Sequence, residues 1–187
     1  INQIFEQLSI GNSQLAFLLP LLISENQAQL PGYVNEFDGG SIFQYQVTKQ
    51  AITLAKQFFD VDIKYKSLPT TTLYTGLYTI GSLGSLGQSL KSDWDVWLCL
   101  NADVTLEQRL LIEKKCRAIE HWANQIGVEL HLFLVSENQF KAGVKSGFDK
   151  ESSGSAQHWL LLDEFYRSAI TLAGKPIRWH LSPTGSP

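Results

Sequence analysis

Methionine is absent from all 187 residues, cysteine occurs only at Cys99 and Cys116, and charged side chains make up just 18% of the chain. Two cysteines cannot build the dense disulfide framework of a small secreted domain. Cys99 in an apolar run and Cys116 on a predicted helix read as buried thiols, which fits a cytoplasmic protein. The net charge of −3 leaves no basic excess, so a general nucleic-acid binder is disfavoured. Long hydrophobic runs are also missing. The stretch Leu15–Ile23 is interrupted by Pro20, is too short to span a bilayer, and lacks the flanks of a signal peptide. No internal repeat occurs. The chain opens on Ile1 and reads as a piece of something longer. What is present is an ordinary globular composition, 44% hydrophobic, large enough to bury one core with a smaller helical annex.

The most informative stretch runs from Tyr78 to Trp97. Before it, Leu73–Ile80 is rich in β-branched and aromatic residues and is bounded by Pro69 and Gly81, which predicts a strand. After it, Asp93–Leu100 predicts a second strand. Side chains two apart on a strand share a face, so Asp93 and Asp95 lie together while Trp94, Val96 and Leu98 point the other way. Adjacent carboxylates repel unless a cation sits between them, and Mg²⁺ takes a few carboxylate oxygens plus water and phosphate oxygens. Between the strands, Gly81-Ser82 opens a Gly/Ser-rich loop whose amides and hydroxyl could cradle a phosphate. A turn or a capping carboxylate would explain either piece alone. The combination of Gly81-Ser82 and Asp93-x-Asp95, placed strand, loop, strand, is the pattern of the nucleotidyltransferase fold.

Taken in order, residues 1–34 predict one or two helices closing at Pro31-Gly32, with Leu15, Leu18, Leu19 and Leu22 packing at helical spacing. From Asn35 to Phe43 the Asp38-Gly39-Gly40-Ser41 cluster marks a loop. A helix follows from about Val47 to Phe59, with Ile52, Ala55, Phe58 and Phe59 inward. Thr105-Leu106-Glu107-Gln108 is a capping-box pattern starting a helix to about Ile126, with Leu111, Ala118, Ile119, Trp122 and Ile126 as its core stripe and Gly127 as its stop. The next strand, Val128–Val135, alternates cleanly, putting Glu129, His131 and Phe133 on one face. Glu129 there could complete a metal site or stand in water; His131 reads as a supporting residue, with no ligand-spaced partner. Residues 137–156 predict a mobile loop able to act as a lid. Ser155 caps a predicted helix to Ala173, with Leu161, Leu162, Phe165, Ala169 and Leu172 inward, and Lys175–His180 reads as a short final strand. The expected organisation is a helical segment at 1–70 packing on a core at 71–182, with a tail at 183–187.

Three blocks of the chain resemble the catalytic domain of the class I bacterial adenylate cyclases. They are Gly81-Ser82 through Ser92-Asp93-Trp94-Asp95-Val96-Trp97; Lys115-Cys116 through Trp122-Ala123 and Gly127-Val128-Glu129; and Gly154–His158 with Leu160–Arg167 and Leu172–Lys175. The resemblance implies an α+β, nucleotidyltransferase-like fold, a mixed β-sheet flanked by helices with additional N-terminal and C-terminal helices. It further implies that Asp93, Asp95 and Glu129 are catalytic and bind metal. Gly81, Ser82, Ser92, Trp97, Arg167 and Lys175 would then contact substrate. The implied cofactor is Mg²⁺, two ions, with Mn²⁺ as a substitute; the implied substrate is ATP, cyclised to 3′,5′-cyclic AMP and pyrophosphate. A regulator from the sugar phosphotransferase system is the partner expected for the longer chain. Two alternatives share these residues: transfer of a nucleoside monophosphate to a separate hydroxyl, and a catalytically silent nucleotide-binding module.

Overall fold

The strand Thr72–Ile80, β2, is the one on which the sheet is built. A computed structural model describes residues 11–64, 71–80, 93–136 and 167–177. Every β2 residue between its two ends is buried, as expected of a β-branched and aromatic run covered on both faces. The other elements are α1 (Asn12–Ser24), β1 (Ser41–Ile42), α2 (Lys49–Phe59), β3 (Trp94–Leu100), α3 (Leu106–Gln125), β4 (Leu130–Ser136) and β5 (Ile170–Gly174).

The sheet is mixed. Its path is β1-β2-β3-β4, and β5 shares with β1 the other edge of β2. β2 pairs antiparallel with β3 and with β5, whereas β1–β2 and β3–β4 are parallel. A right-handed crossover through α3 is the usual way to join parallel neighbours such as β3 and β4. Thr105 starts α3 with the anticipated capping box: its hydroxyl accepts from the Gln108 amide at 3.2 Å, and Gln108 Oε1 accepts from the Thr105 amide at 2.9 Å. Gly127, at φ +81°, ends the connection in the left-handed region that glycine tolerates.

One core forms on the face of the sheet that carries Trp94, Val96, Leu98 and Leu100 of β3, where they join Leu15, Leu18, Leu19 and Leu22 of α1 and Ile112, Cys116 and Ile119 of α3. Leu21 and Ile23 are also fully buried, so α1 is apolar nearly all round. A smaller cluster of Tyr78, Trp97 and Cys99 occupies the opposite face. At the edge of β4, Arg117 donates to the Leu132 carbonyl at 2.8 Å, and the Leu132 amide donates to Glu120 at 2.6 Å.

Several expectations need correction. The helix expected through Ala173 has ended before Ile170, because Ile170–Gly174 is β5, hydrogen-bonded to β2. Gly174 is therefore no helix stop: at φ +95°, a Cβ there would stand 2.5 Å from Gly76 Cα, and the two glycines let the strands approach closely. The final strand thus lies before Lys175, where a bend begins, and residues 178–180 fall outside the described ones. α1 stops at Ser24, short of Pro31-Gly32, and Ser41–Ile42 within the expected loop forms β1. The α3 stripe is turned from the predicted one: Ile112, Lys115, Cys116, Ile119 and Ala123 are buried, and Ala118 is exposed. Lys115 itself belongs to the buried stripe. Its ammonium is buried and donates to the carbonyls of Glu25 at 2.6 Å and Gly32 at 3.1 Å, so a charged residue ties the turn after α1 to α3.

Candidate active site

Strand pairing decides which of the expected residues meet. In the β3–β4 ladder Asp95 stands beside His131 and Trp97 beside Phe133. The Trp94 amide donates to the Glu129 carbonyl at 2.8 Å, which carries the ladder back to where Asp93 and Glu129 are level. Laterally paired residues point to the same face and sit about 5 Å apart. Asp93, Asp95 and Glu129 therefore share one face, and all three are exposed, while Trp94 between the aspartates is buried at 2% exposure. The Glu129 carboxylate pairs with His131 at 3.3 Å.

β2 supplies the other neighbour: Ile80 stands opposite Asp95 and Tyr78 opposite Trp97. The chain between Ile80 and Asp93 holds Gly81, Ser82 and Ser92, which lie outside the described residues, as do the expected lid at 137–156 and the helix start at Ser155. Arg167 is exposed and precedes Ile170, which pairs with Thr79, so it belongs to the carboxylate end of the sheet. Trp97 is buried in the small cluster with Tyr78 and Cys99; it lies on the carboxylate face, one step along the strand from Asp95.

Lys175 is not brought beside the carboxylates. Its neighbour Gly174 pairs with Gly76, which pairs with Cys99, four rungs or about 13 Å along the sheet from Asp95. Its ammonium lies 5.2 Å above the centre of the Phe43 ring, and its carbonyl accepts the Tyr78 hydroxyl at 2.7 Å. Tyr78 and Phe43 were not singled out from the sequence; the Tyr78 ring fits because Gly76 has no side chain, a Cβ there falling 2.2 Å from the phenol oxygen.

A cleft of about 630 Å³ adjoins the site, lined by Asp93, Glu129 and His131 from the sheet and by Arg117, His121 and Asn124 from α3 among others. Exposed oxygen donors on one face suit a hard divalent cation. Among the described residues, no three His, Cys, Asp or Glu side chains stand together in a way that could hold a metal ion. An ion bound at these carboxylates would have to draw much of its shell from water and phosphate oxygens, as Mg²⁺ can.

Comparison with known proteins is decisive for the family. Residues 1–180 match the family model described as the adenylate cyclase NT domain. The chain belongs to that family. Adenylate cyclases of Shigella flexneri and Escherichia coli (strain K12) are each 38% identical to it over 176 residues, 91% of this chain. That of Yersinia pestis is 39% identical over 173 residues, 89% of this chain. The chain spans about a fifth of the length of these curated relatives, 20% in each case. No solved structure matches. The resemblance to bacterial adenylate cyclases holds at the level of the family, and the mixed sheet flanked by helices agrees with the coarse fold expected of the adenylate cyclase NT domain.

Proposed function

We propose that this chain is the catalytic part of a class I bacterial adenylate cyclase, a nucleotidyltransferase-like domain acting in the cytoplasm to convert ATP into 3′,5′-cyclic AMP and pyrophosphate. The observation that carries the reading is the shared exposed face of Asp93, Asp95 and Glu129, set by the β3–β4 register. The shared name of relatives 38% identical over 91% of the chain supports it.

In this reading the ribose 3′-oxygen attacks the α-phosphorus, the bond to the bridging oxygen breaks, and pyrophosphate leaves in line. Asp93, Asp95 and Glu129 would hold two Mg²⁺ ions, or Mn²⁺ in their place. Bound there, the ions would supply a lowered 3′-hydroxyl pKa and charge neutralisation at the phosphates. Glu129, which is exposed and lines the cleft, serves either as the acceptor for the 3′-hydroxyl proton or only as a ligand. Ser82 and Ser92, which lie between Ile80 and Asp93 in the chain, would donate to phosphate oxygens. Arg167, at the same end of the sheet, offsets phosphate charge; such chemistry is mostly positioning and charge stabilisation. Lys175 would contact a nucleotide running along the open face towards Gly174. In the longer protein, a component of the sugar phosphotransferase system is the expected regulator.

The test is Asp93→Asn assayed with Mg-ATP as sole substrate. Cyclic AMP formation should fall by roughly 10²–10³-fold or more, with the melting temperature held, since Asp93 is exposed. Undiminished turnover would refute the role of the carboxylates. Turnover only after a separate hydroxyl acceptor is added would instead identify a monophosphate transferase, and Mg-ATP binding without any turnover a silent module.

A further inference from the structure

We infer that the outward face of α3, centred on Leu106 and Leu110, is where the rest of the longer polypeptide docks through an apolar segment of its own; this rests on the reading of the chain as one part of a longer protein. Leu106 is 75% exposed and Leu110 53%. They are four positions apart, where helical side chains lie one above the other. Leu110 is two residues from the buried Ile112, about 160° around the helix, so the pair faces away from the core. A groove of about 690 Å³ is lined by Leu110 and Leu111 together with Glu107, Glu113, Lys114 and Arg117. The start of the helix does not account for these leucines. A hydrophobic staple joins the residue before the cap to the fourth helical position, which here are Val104 and Arg109. Single exposed leucines are ordinary, but two in contact beside a groove flanked by charges mark a surface that meets another body.

Chain length, position and size choose the occupant. The chain covers 20% of the length of the curated relatives, so four-fifths of such a protein lies outside it. β5 ends at Gly174, in the rung of Gly76 and Cys99, next to Leu100, where β3 gives way to the turn into α3. The chain therefore comes off the sheet at the end where Leu106 stands. Asp93 is at the opposite end of β3, so docking on Leu106 and Leu110 leaves the carboxylate face open. A patch built on two leucines of one helix is small beside the roughly 1,200–2,000 Å² of a stable interface between separate proteins, which disfavours a second copy of this chain. A tethered segment meets the patch at an effective concentration of roughly millimolar and needs far less area. Its apolar residues would fill the groove while its polar neighbours meet Glu107 and Lys114, as when an amphipathic helix lies in an apolar groove.

The experiment is photo-crosslinking in the full-length protein, with p-benzoylphenylalanine in place of Lys114 in the groove and, as a reference, in place of Asp62, whose side chain is 83% exposed. Isotope-labelled and unlabelled protein are mixed, and mass spectrometry of the products separates contacts within one chain from contacts between copies. The probe at 114 should give intramolecular crosslinks to residues beyond this sequence, at about tenfold the yield of the probe at 62. Leu106→Asp combined with Leu110→Asp should lower that yield about tenfold, because the apolar seat is lost. Leu106→Ala combined with Leu110→Ala, which brings no new charge into the helix, should lower it in the same sense with unchanged circular dichroism. Crosslinks that join two copies, or that fall within residues 1–187, overturn the inference. So does a yield at 114 no greater than at 62, or one that neither double variant changes.

Discussion

At the Asp93 end of β3 the two faces do opposite things with alternate residues, whereas Trp97 and Cys99 further along the carboxylate face are buried. Trp94, Val96, Leu98 and Leu100 are buried against α1 and α3. Asp93 and Asp95 stand in solvent on the other side, beside Glu129 and His131. Period-two alternation keeps these demands separate, so the packed face can be optimised for volume and the open face for oxygen donors. Stability and chemistry should therefore respond to different substitutions only one residue apart.

The sharpest way to break this comparison is to mutate both sides of one strand. Leu98→Ala, at a site with no exposure, should lower unfolding free energy by about 2–5 kcal/mol in a urea titration. Asp95→Asn, one ladder step from the core, should change it by no more than about 0.5 kcal/mol. Equal destabilisation by both would mean that the two faces are not independent.

Lys115 sharpens the comparison from the packed side. Burial holds its ammonium down at about 8 against an ordinary 10.5. Between these values the unfolded chain binds more protons than the folded one, so this group adds stability as pH rises from 8 to 10.5 and loses it as pH falls back through 8, a span of roughly 3 kcal/mol. Burial pushes the Cys116 thiol up to about 12 from 9, which acts in the opposite direction between pH 9 and 12. Lys115→Met should remove the first slope and leave the second, as read from the difference between urea melts of variant and wild type at pH 8 and pH 10.

The smallest effect belongs to local structure. Thr105→Ala removes the hydroxyl that accepts from the Gln108 amide and should cost about 1 kcal/mol, without altering metal or nucleotide binding.

Local signals carried far in the sequence. The alternation of Asp93–Leu100 and Val128–Val135, the capping box at Thr105 and the stop at Gly127 all identify their elements, because each depends on residues close in the chain. Where distant contacts decide, local pattern points elsewhere. Ile170–Gly174 continues a helical pattern by composition, yet Gly174 is shaped by its approach to Gly76 nearly a hundred residues earlier. Lys115 would be assigned to solvent by any pattern; its acceptors are carbonyls of the turn after α1. The face shared by Asp93 and Asp95 was legible, whereas the separation of Lys175 from them follows from the β2–β5 register, which no spacing in the sequence encodes.

At Leu132 the backbone groups on the outer side of β4 are both occupied, by Arg117 and Glu120, which pair with each other at 2.5 Å. An extended peptide seeking to lengthen the sheet there would have to dislodge an ion pair before making its own rung. Contacts with other polypeptide at that rim are thus steered towards side-chain docking and away from β-augmentation.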